Sequence, residues 1–245
     1  MKTSNKLLLA AVLVLLASLA VYNVALTAEY KKGGFKNPFA GYEARGLKDF
    51  QEVSVNVGNS MSVEIVPGDF EVRVLDKVAD YVKAEVRGEE LVLEVAYPEE
   101  YSMPSAGPHV IISCPDLTTL KTNAVYTAGG KKIEEKAYKE WSMVHNAVTL
   151  KEMELDSLTI LQDNGSAVIL QGNKIGHLQA TAGISSGSSP KLTVANGNTI
   201  QSAQLDIRSG SELVLDNVSI PNLTYSFSDS AKTVLSGASL RVLRQ

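Results

Sequence analysis

The sequence predicts an all-β protein in which an N-terminal transmembrane helix precedes a small antiparallel β-sheet and then a β-solenoid. Three observations predict this fold: one long apolar run, a region of short segments that alternate apolar and polar residues, and a pattern that recurs in the C-terminal half. Along the 245 residues, the predicted organisation is a short cytoplasmic tail at 1–6, a transmembrane anchor at 7–26, a linker at 27–46, an antiparallel β region at 47–116 and β-solenoid repeats at 117–245.

The apolar run extends from Leu7 to Leu26, and only Ser18 and Asn23 in it are plainly polar. At a helical rise of about 1.5 Å per residue it reaches about 30 Å, the thickness of a bilayer hydrocarbon core. The run continues past Ser18–Ala20, which suits signal cleavage, and this favours an uncleaved anchor over the alternative, a signal peptide. An anchor predicts a single-pass cell-membrane protein with its C-terminal domain in the periplasm or outside the cell. A cleaved signal predicts a secreted or periplasmic protein.

Segments with an apolar period of two occupy much of residues 47–116. Residues 50–57 and 61–66 alternate in this way, and so do residues 82–87 and 91–96, with Gly88 as a turn residue between the second two. We therefore expect two hairpins that form an antiparallel sheet with one solvent-exposed face.

Beyond Leu117 a unit recurs that consists of a leucine-led strand, a turn and a second apolar strand. The units start 20, 27, 18 and 17 residues apart, at Leu158, Leu178, Leu205, Leu223 and Leu240. Their turns fall at Gly165-Ser166, Gly187-Ser188, Gly210-Ser211 and Asp229-Ser230. A small or amide residue also recurs shortly before a branched apolar one, at Ile175, Ile200, Ile220 and Leu240. Because the turn pairs and the small or amide residues recur together, they indicate one structural unit that is stacked several times.

A β-solenoid explains this recurrence, because a unit of about 20 residues cannot bury its apolar side alone and does so against its neighbours. Leu158, Leu178, Leu205 and Leu223 would then form one inward row. Regularly spaced short strands are equally typical of a β-sandwich, which is the alternative. Residues 121–150 fit the unit poorly and indicate an elongated coil with an insertion or a short helical excursion.

The charge balance argues against nucleic-acid binding. Lys2 and Lys6 are the only charged residues before position 27, so the remainder holds 21 of the 23 basic residues and all 27 acidic ones, a formal balance of −6. An acidic surface repels phosphate backbones, and we expect no nucleic-acid partner.

The sequence has no recognisable catalytic, cofactor-binding or metal-binding motif. His109, His145 and His177 lie far apart, without the spacing of a metal site. Cys114, the single cysteine, lies in the apolar run VIISCP and is best explained as a small core residue. We therefore expect no catalytic residue, no cofactor and no metal.

Two aromatic residues within 121–150 are the candidates for ligand contact. Trp141 is the single tryptophan of the chain, and Tyr138 lies three positions before it. Such rings contact sugars or peptides through their faces. The alternative is that they pack the insertion against the solenoid.

Acidic residues in the stacked units leave an enzyme open as the alternative function. Asp156, Asp163, Asp206 and Asp216 can line one face, as paired carboxylates do in polysaccharide-cleaving enzymes. Aspartate is also a usual turn residue of such coils. A carbohydrate-active enzyme would need two of these carboxylates across one groove, about 5–10 Å apart.

The stretches FQEVSVNVGNSMSVEIVPGD and GEELVLEV, together with the Gly-Ser units, resemble the auto-transporter adhesin, head GIN domain family of bacterial envelope proteins. The resemblance covers most of the chain beyond the apolar run. It implies an exported, β-solenoid-like domain with an adhesin label and no assigned catalytic or cofactor residues. The chain departs from the family in its turns, where the fuller Gly-Ser-Gly-Asp pattern is present only in part, and in residues 121–150.

These observations favour a non-catalytic envelope protein, anchored in the membrane by its N-terminal helix, that displays a β-solenoid for adhesion, ligand binding or scaffolding. The expected partner is an extracytoplasmic glycan or protein, and its identity is unknown from the sequence.

We expect residues 7–26 to persist in the mature protein, because the apolar run continues beyond the site that suits cleavage. Edman or mass-spectrometric sequencing of the mature N-terminus measures this directly. A mature chain that starts at Val21 would show that the segment is a signal peptide.

Overall fold

The computed structural model describes residues 3–33, 37–57, 60–98, 107–139 and 146–244. It divides the chain into two compact units, Met1–Tyr42 and Glu43–Gln245. We call Glu43–Gln245 the second unit.

The first unit contains helix α1, Thr3–Lys32. Leucine, valine and alanine dominate this helix, and its apolar side chains are exposed rather than packed in a core. The helix is long and apolar enough to cross a membrane, and a signal sequence near an N-terminus can have the same length and composition. The predicted apolar segment is therefore a single helix that is compatible with an anchor or with a signal peptide.

Short β-strands follow the helix. The strands of the N-terminal half are β1 (Tyr42–Arg45), β2 (Glu52–Val55), β3 (Val63–Pro67), β4 (Glu71–Leu75), β5 (Val82–Arg87), β6 (Glu90–Tyr97), β7 (Val110–Cys114), β8 (Thr119–Thr122), β9 (Val125–Ala128) and β10 (Lys131–Glu134). Those of the C-terminal half are β11 (Val148–Lys151), β12 (Glu154–Gln162), β13 (Ala167–Gln171), β14 (Lys174–Ala182), β15 (Lys191–Val194), β16 (Thr199–Ile207), β17 (Glu212–Asp216), β18 (Asn222–Phe227) and β19 (Lys232–Ser236). Among the described residues, 3-10 helices lie at Asp76–Val78 and Gly237–Arg244.

The strands form two large mixed sheets. Sheet A has the order β1-β4-β7-β3-β11-β13-β15-β17-β19. Sheet B has the order β10-β9-β6-β2-β8-β12-β14-β16-β18, with β5 also paired to β6. Inward residues of both sheets belong to one hydrophobic core, so the two sheets pack face to face. This arrangement fits the sandwich alternative.

From β11 onward, consecutive strands alternate between the two sheets. Strands β11, β13, β15, β17 and β19 pair in parallel in sheet A, and β12, β14, β16 and β18 do so in sheet B. Each strand therefore pairs with the strand two positions along the chain. Parallel neighbours need a crossover between them, and here each crossover is itself a strand of the facing sheet.

Inward positions recur every second residue along these strands, which is why the sequence alternates. On sheet B one inward row runs through Leu158, Leu178, Ala203 and Leu223. The predicted row placed Leu205 there, and that register is wrong by two residues. Leu205 lies in the next row, paired with Ala180 and with Tyr225.

The first predicted hairpin is not formed. Residues 50–57 contribute β2 to sheet B, whereas residues 61–66 contribute most of β3 to sheet A. An apolar period of two reports one buried face and does not identify the partner strand, so two strands in facing sheets give the same pattern as a hairpin. The second predicted hairpin is confirmed: β5 and β6 pair antiparallel around Gly88, whose φ is +68°.

Residues 47–116 consequently do not form a separate antiparallel sheet. Strands β2 and β8 pair in parallel across the predicted boundary at 116, and β3 pairs in parallel with β11. Antiparallel pairing in the described strands is confined to the N-terminal half, where β4 joins β7, β5 joins β6 and β10 joins β9.

Buried asparagines hold one set of turns between the sheets. Asn173 is fully buried, donates from Nδ2 to the carbonyl of Leu150 (2.9 Å) and accepts from the backbone N–H of Met153 (3.0 Å). Asn198 repeats the contact one turn further, donating from Nδ2 to the carbonyl of Leu170 (2.8 Å) and accepting from the N–H of Asn173 (2.9 Å). These amides satisfy backbone groups that the turns would otherwise bury without a partner.

Buried serines hold the opposite set of turns. Ser166, Ser188 and Ser211 are fully buried, and they are the serines of three Gly-Ser pairs seen in the sequence. Their backbone carbonyls accept from N–H groups of the next turn: Lys191 donates to Ser166 (3.0 Å) and Gly210 to Ser188 (3.1 Å). The small serine side chain leaves room for this close approach.

We expect Leu178→Asp to lower the free energy of unfolding by about 4 kcal/mol or more, because it places a charge at a fully buried position. Gln179→Asp is the matched control, since Gln179 is exposed on the other face of the same strand and should change stability by about 0.5 kcal/mol or less. Denaturant unfolding of the full chain in detergent, followed by circular dichroism, compares the two. Equal small effects would contradict the inward assignment.

Candidate functional site

Tyr138 lies on the outer face of sheet A, half-buried, where it lines two neighbouring grooves. It is one of the two residues for which the sequence predicts ligand contact. The other, Trp141, lies outside the described residues. The structure therefore defines a candidate site around Tyr138.

The segment before Tyr138 is held against the serine turns by backbone hydrogen bonds. Gly165 donates to the carbonyl of Glu135 (2.6 Å) and Ser189 donates to that of Lys136 (2.8 Å). The N–H of Tyr138 in turn donates to the carbonyl of Ser189 (3.0 Å). A segment with three main-chain bonds to two successive turns has a fixed course, so the backbone fixes the point from which the Tyr138 side chain projects.

Gly165 makes this contact possible. A Cβ at this position would lie 2.5 Å from the carbonyl carbon and oxygen of Ala137, well inside van der Waals distance. The glycine is therefore needed for close approach of the 135–138 segment and not for a left-handed turn conformation. Its neighbour Asn164 takes the left-handed position, with a φ of 49°.

Two grooves flank the Tyr138 ring. The first has a volume of about 280 Å³ and lies over outward residues of β13, β15 and β17, including Ile169, Thr193 and Val214. The second has a volume of about 260 Å³ and includes Pro190 and Lys232 in its lining. Apolar and hydrogen-bonding groups thus line both of the grooves that Tyr138 borders.

An ion pair borders both the ring and the grooves. Lys191 Nζ lies 6.0 Å from the Tyr138 ring centroid, at the outer limit of a cation–π contact, and 3.1 Å from Glu212 Oε1. Lys191 and Glu212 are register neighbours on β15 and β17, and Lys232 follows on β19. The site therefore offers both charge signs beside an aromatic face.

Outward residues of sheet A form a straight row beside Tyr138. Parallel register aligns Thr149, Ile169, Thr193, Val214 and Val234 on successive strands. Neighbouring strands stand about 4.8 Å apart, so this row repeats β-branched side chains at that spacing. The equivalent face of sheet B is richer in amide and hydroxyl groups.

The structure does not bring the four predicted carboxylates into one groove. Asp206 lies on β16 of sheet B, 2.5 Å from Arg208, whereas Asp216 lies on β17 of sheet A and accepts a hydrogen bond from Ser236. Asp163 lies in a serine turn, and Asp156 is exposed on β12. The geometry required for a glycosidase pair is therefore not met by Asp206 and Asp216, which belong to different sheets.

Asp163 has a structural contact instead. Its carboxylate accepts from the N–H of Ser185 (2.9 Å) and from the Ser185 hydroxyl (2.5 Å). Burial opposes ionisation, but these hydrogen bonds outweigh it and hold the pKa of Asp163 below its ordinary value. An ionised acceptor in a turn accounts for this residue without catalysis.

The remaining titratable residues with chemical potential are also placed structurally. Cys114 is fully buried in the core, and burial raises the pKa of its thiol to about 12. His109 is buried and accepts from the N–H of Ser62 at Nδ1, whereas His177 is exposed and bonded to Ser202. Within the described residues, no group of three or more His, Cys, Asp or Glu side chains could hold a metal ion. His145 lies outside those residues.

Lys191, Glu212 and Gly165 are parts of this site that the sequence does not predict. The alternating charges at Lys191, Glu212 and Lys232 recur at about the spacing of the sequence repeat and could have indicated a common row. The contact of Gly165 with Ala137 joins a turn to the poorly fitting stretch, and no local pattern predicts it.

The fold and the surface site define a two-sheet β protein with an N-terminal apolar helix. A solved structure with a similar chain course is named a "putative adhesin" from Bacteroides fragilis, with 11% identity and a TM-score of 0.43, covering 79% of this chain and 94% of that one. A second "putative adhesin", from Parabacteroides merdae, has 10% identity and a TM-score of 0.34, covering 80% of this chain and 95% of that one.

A further similar structure is named a "putative lipid binding protein" from Parabacteroides distasonis, with 15% identity and a TM-score of 0.25, covering 80% of this chain and 95% of that one. No protein-family model and no curated protein matches the chain. At these identities and TM-scores the likenesses assign no activity to it.

We expect Gly165→Ala to displace the 135–138 segment, because the added methyl would overlap the Ala137 carbonyl. Trypsin should then cleave after Lys136 and Lys139 at least about tenfold faster than in the unchanged protein, as local opening becomes easier. Gly46→Ala is the control, since a Cβ there meets no atom within 4 Å. Unchanged cleavage in Gly165→Ala would show that the segment is not held by this contact.

Proposed function

We propose that this chain is a membrane-anchored envelope protein without catalytic activity, which binds an extracytoplasmic glycan or protein on the outer face of sheet A around Tyr138. Its N-terminal helix is the anchor, and the second unit is the binding module. The observation that carries the proposal is that Tyr138, whose main chain is fixed by hydrogen bonds, lines two grooves beside the Lys191–Glu212 ion pair.

We further propose that the C-terminal half is a β-solenoid with two strands in each coil. The alternation of β11 to β19 between the sheets, with parallel pairing of every second strand, supports this interpretation. The turn asparagines and serines also recur once per coil. Such a stack presents long flat faces on which equivalent side chains repeat.

An extended partner suits this face. An aromatic ring with hydrogen-bonding and charged groups at its edge can stack on a sugar ring or contact a peptide side chain. The β-branched row from Thr149 to Val234 continues the surface across five strands, so a chain-like ligand can contact more than one coil. The resemblance of the sequence to the GIN domain family agrees with an adhesive role.

The positions of the carboxylates support a binding function over hydrolysis. Asp206 is paired with Arg208, Asp216 with Ser236 and Asp163 with Ser185. Each of these acidic side chains has a partner of its own, and no two of these three share a groove around Tyr138 in the described residues.

We expect a screen of glycans and peptides with the full chain in detergent to find a ligand whose affinity falls at least about tenfold in Tyr138→Ala, because one desolvated aromatic contact contributes on the order of 1–2 kcal/mol. Gln179→Ala, an exposed change on the outer face of sheet B, should leave the affinity unchanged. Calorimetry or surface plasmon resonance measures both.

Equal affinities of Tyr138→Ala and the unchanged protein for every ligand found would place binding elsewhere. Cleavage of a polysaccharide that is lost in Asp163→Ala, Asp206→Ala or Asp216→Ala without unfolding would replace the proposal by an enzyme.

A further inference from the structure

At the C-terminal end of the second unit, side chains are exposed at positions whose equivalents in the preceding coils are buried in the core. Among the described strands, β18 ends sheet B and β19 ends sheet A. We call the inward residues of these two strands the end face: Leu223, Tyr225, Phe227, Thr233 and Leu235.

The pairing register of β16 and β18 shows that, in the described part of the chain, the end-face residues lack the neighbouring strand that buries their equivalents. Tyr225 and Phe227 pair with Leu205 and Ile207 of the preceding coil, which are exposed to 1% and 0%. Tyr225 and Phe227 are themselves exposed to 49% and 39%. Each inward row is buried by the coil that follows it, and after β18 and β19 the described residues provide no such coil.

An apolar cavity of about 440 Å³ opens at this end. Its floor includes Leu205, Leu213 and Leu215 of the preceding coil, and its walls are the end-face residues. Leu240 in the C-terminal 3-10 helix is half exposed, and no residue of that helix with a described side chain lines the cavity. Terminal units of stacked proteins ordinarily carry a polar outer surface, so an apolar end indicates a covered one.

The edge of β18 lacks the features that prevent strand pairing. Exposed edges are usually protected by lysine, proline, inward charges or bulges. The six residues of β18, NLTYSF, include no charged residue and no proline, and β19 has a single charge at Lys232. Two copies of β18 can therefore meet without repulsion between like charges, and the one charge of β19, Lys232, lies at the first position of that strand.

We propose that the end face is a self-association surface, where β18 and β19 pair antiparallel with the same strands of a second copy of this chain. A two-fold axis perpendicular to the strands brings each edge strand against its own copy and joins both sheets across the interface. Centred on Tyr225, this pairing sets Leu223 opposite Phe227 of the second copy and keeps every inward residue inward, since their positions differ by two.

A second copy of the chain can satisfy both the backbone groups and the apolar side chains of the end face, whereas an apolar ligand satisfies only the side chains. The edge strands offer backbone donors and acceptors as well as apolar side chains, and a matching pair of strands satisfies both kinds of group. The end face extends about 20 Å along β18 at about 3.3 Å per residue, with the sheets about 10 Å apart. Two copies would bury on the order of 1,000 Å² in total, near the lower limit of specific interfaces, so the dimer should depend on concentration.

Sedimentation of the full chain in density-matched detergent, over roughly 1–100 µM, tests the proposal. We expect a reversible dimer whose Kd rises at least about tenfold in Tyr225→Lys, because that change puts two charges into the joined core. Gln204→Lys is the matched control: it adds the same charge on the outward face of the preceding strand of sheet B, away from the paired edge, and should leave the dimer unchanged.

Cysteine cross-linking in membranes provides a second measurement that does not require a charged variant to fold. Tyr225→Cys should form a disulfide-linked dimer under mild oxidation, because the two-fold axis brings the two Tyr225 positions together. Gln204→Cys, exposed on the preceding strand of sheet B, should not. The native Cys114 is fully buried and does not interfere.

Three results would overturn the proposal. One is a wild-type protein that stays monomeric over the whole concentration range. Another is a dimer that Tyr225→Lys leaves unchanged, since association would then run through another surface. The third is a monomer that retains an acyl lipid in native mass spectrometry and loses it in Tyr225→Lys, which would identify a hydrocarbon chain as the occupant of the cavity.

Discussion

The turns between the two sheets impose the constraint on which the second unit depends. A chain that crosses from one sheet to the other after every strand buries its turns against the next crossing, and each turn brings backbone N–H and C=O groups with it. Asn173 and Asn198 bond to those groups on one side of the stack. On the other side, Ser166, Ser188 and Ser211 are small enough to be fully buried beneath the next turn. Because an unsatisfied buried group costs about 1–3 kcal/mol, these polar turn residues are as necessary as the apolar rows between them.

This constraint explains which parts of the fold could be predicted. The Gly-Ser turns recur because the backbone at these crossings admits few alternatives, and they mark correctly where the chain passes from sheet B to sheet A. Inward positions are less restrictive, since leucine and alanine can both occupy them. Leu178 is followed in its row by Ala203, so an alignment by leucines shifts to Leu205 and loses the register. The recurring isoleucines predict the register correctly, because Ile175 pairs with Ile200.

The candidate site was predictable only in part, for a related reason. Outward side chains have no buried neighbour that selects them, so the sequence indicates an aromatic ring at Tyr138 but not what surrounds it. Lys191 lies near the ring and Glu212 is its register neighbour, although both are far from Tyr138 in the chain. Gly165 resembles an ordinary turn glycine, yet its role is to accept the main chain of Ala137 at close range. Contacts of this kind follow from the complete fold and not from local composition.

The inward rows also explain why the stack changes toward its C-terminal end. One row of sheet B passes from Ala180 through Leu205 to Tyr225, and its neighbour passes from Ala182 through Ile207 to Phe227. In these two rows the side chains enlarge from alanine on β14 to an aromatic residue on β18. A close-packed interior tolerates such growth only where a following layer fills the space between the larger residues. Strand β18 carries the two aromatic residues of these rows, and the described residues provide no strand beyond it, so the packing that buries the preceding rows is incomplete where the apolar cavity opens.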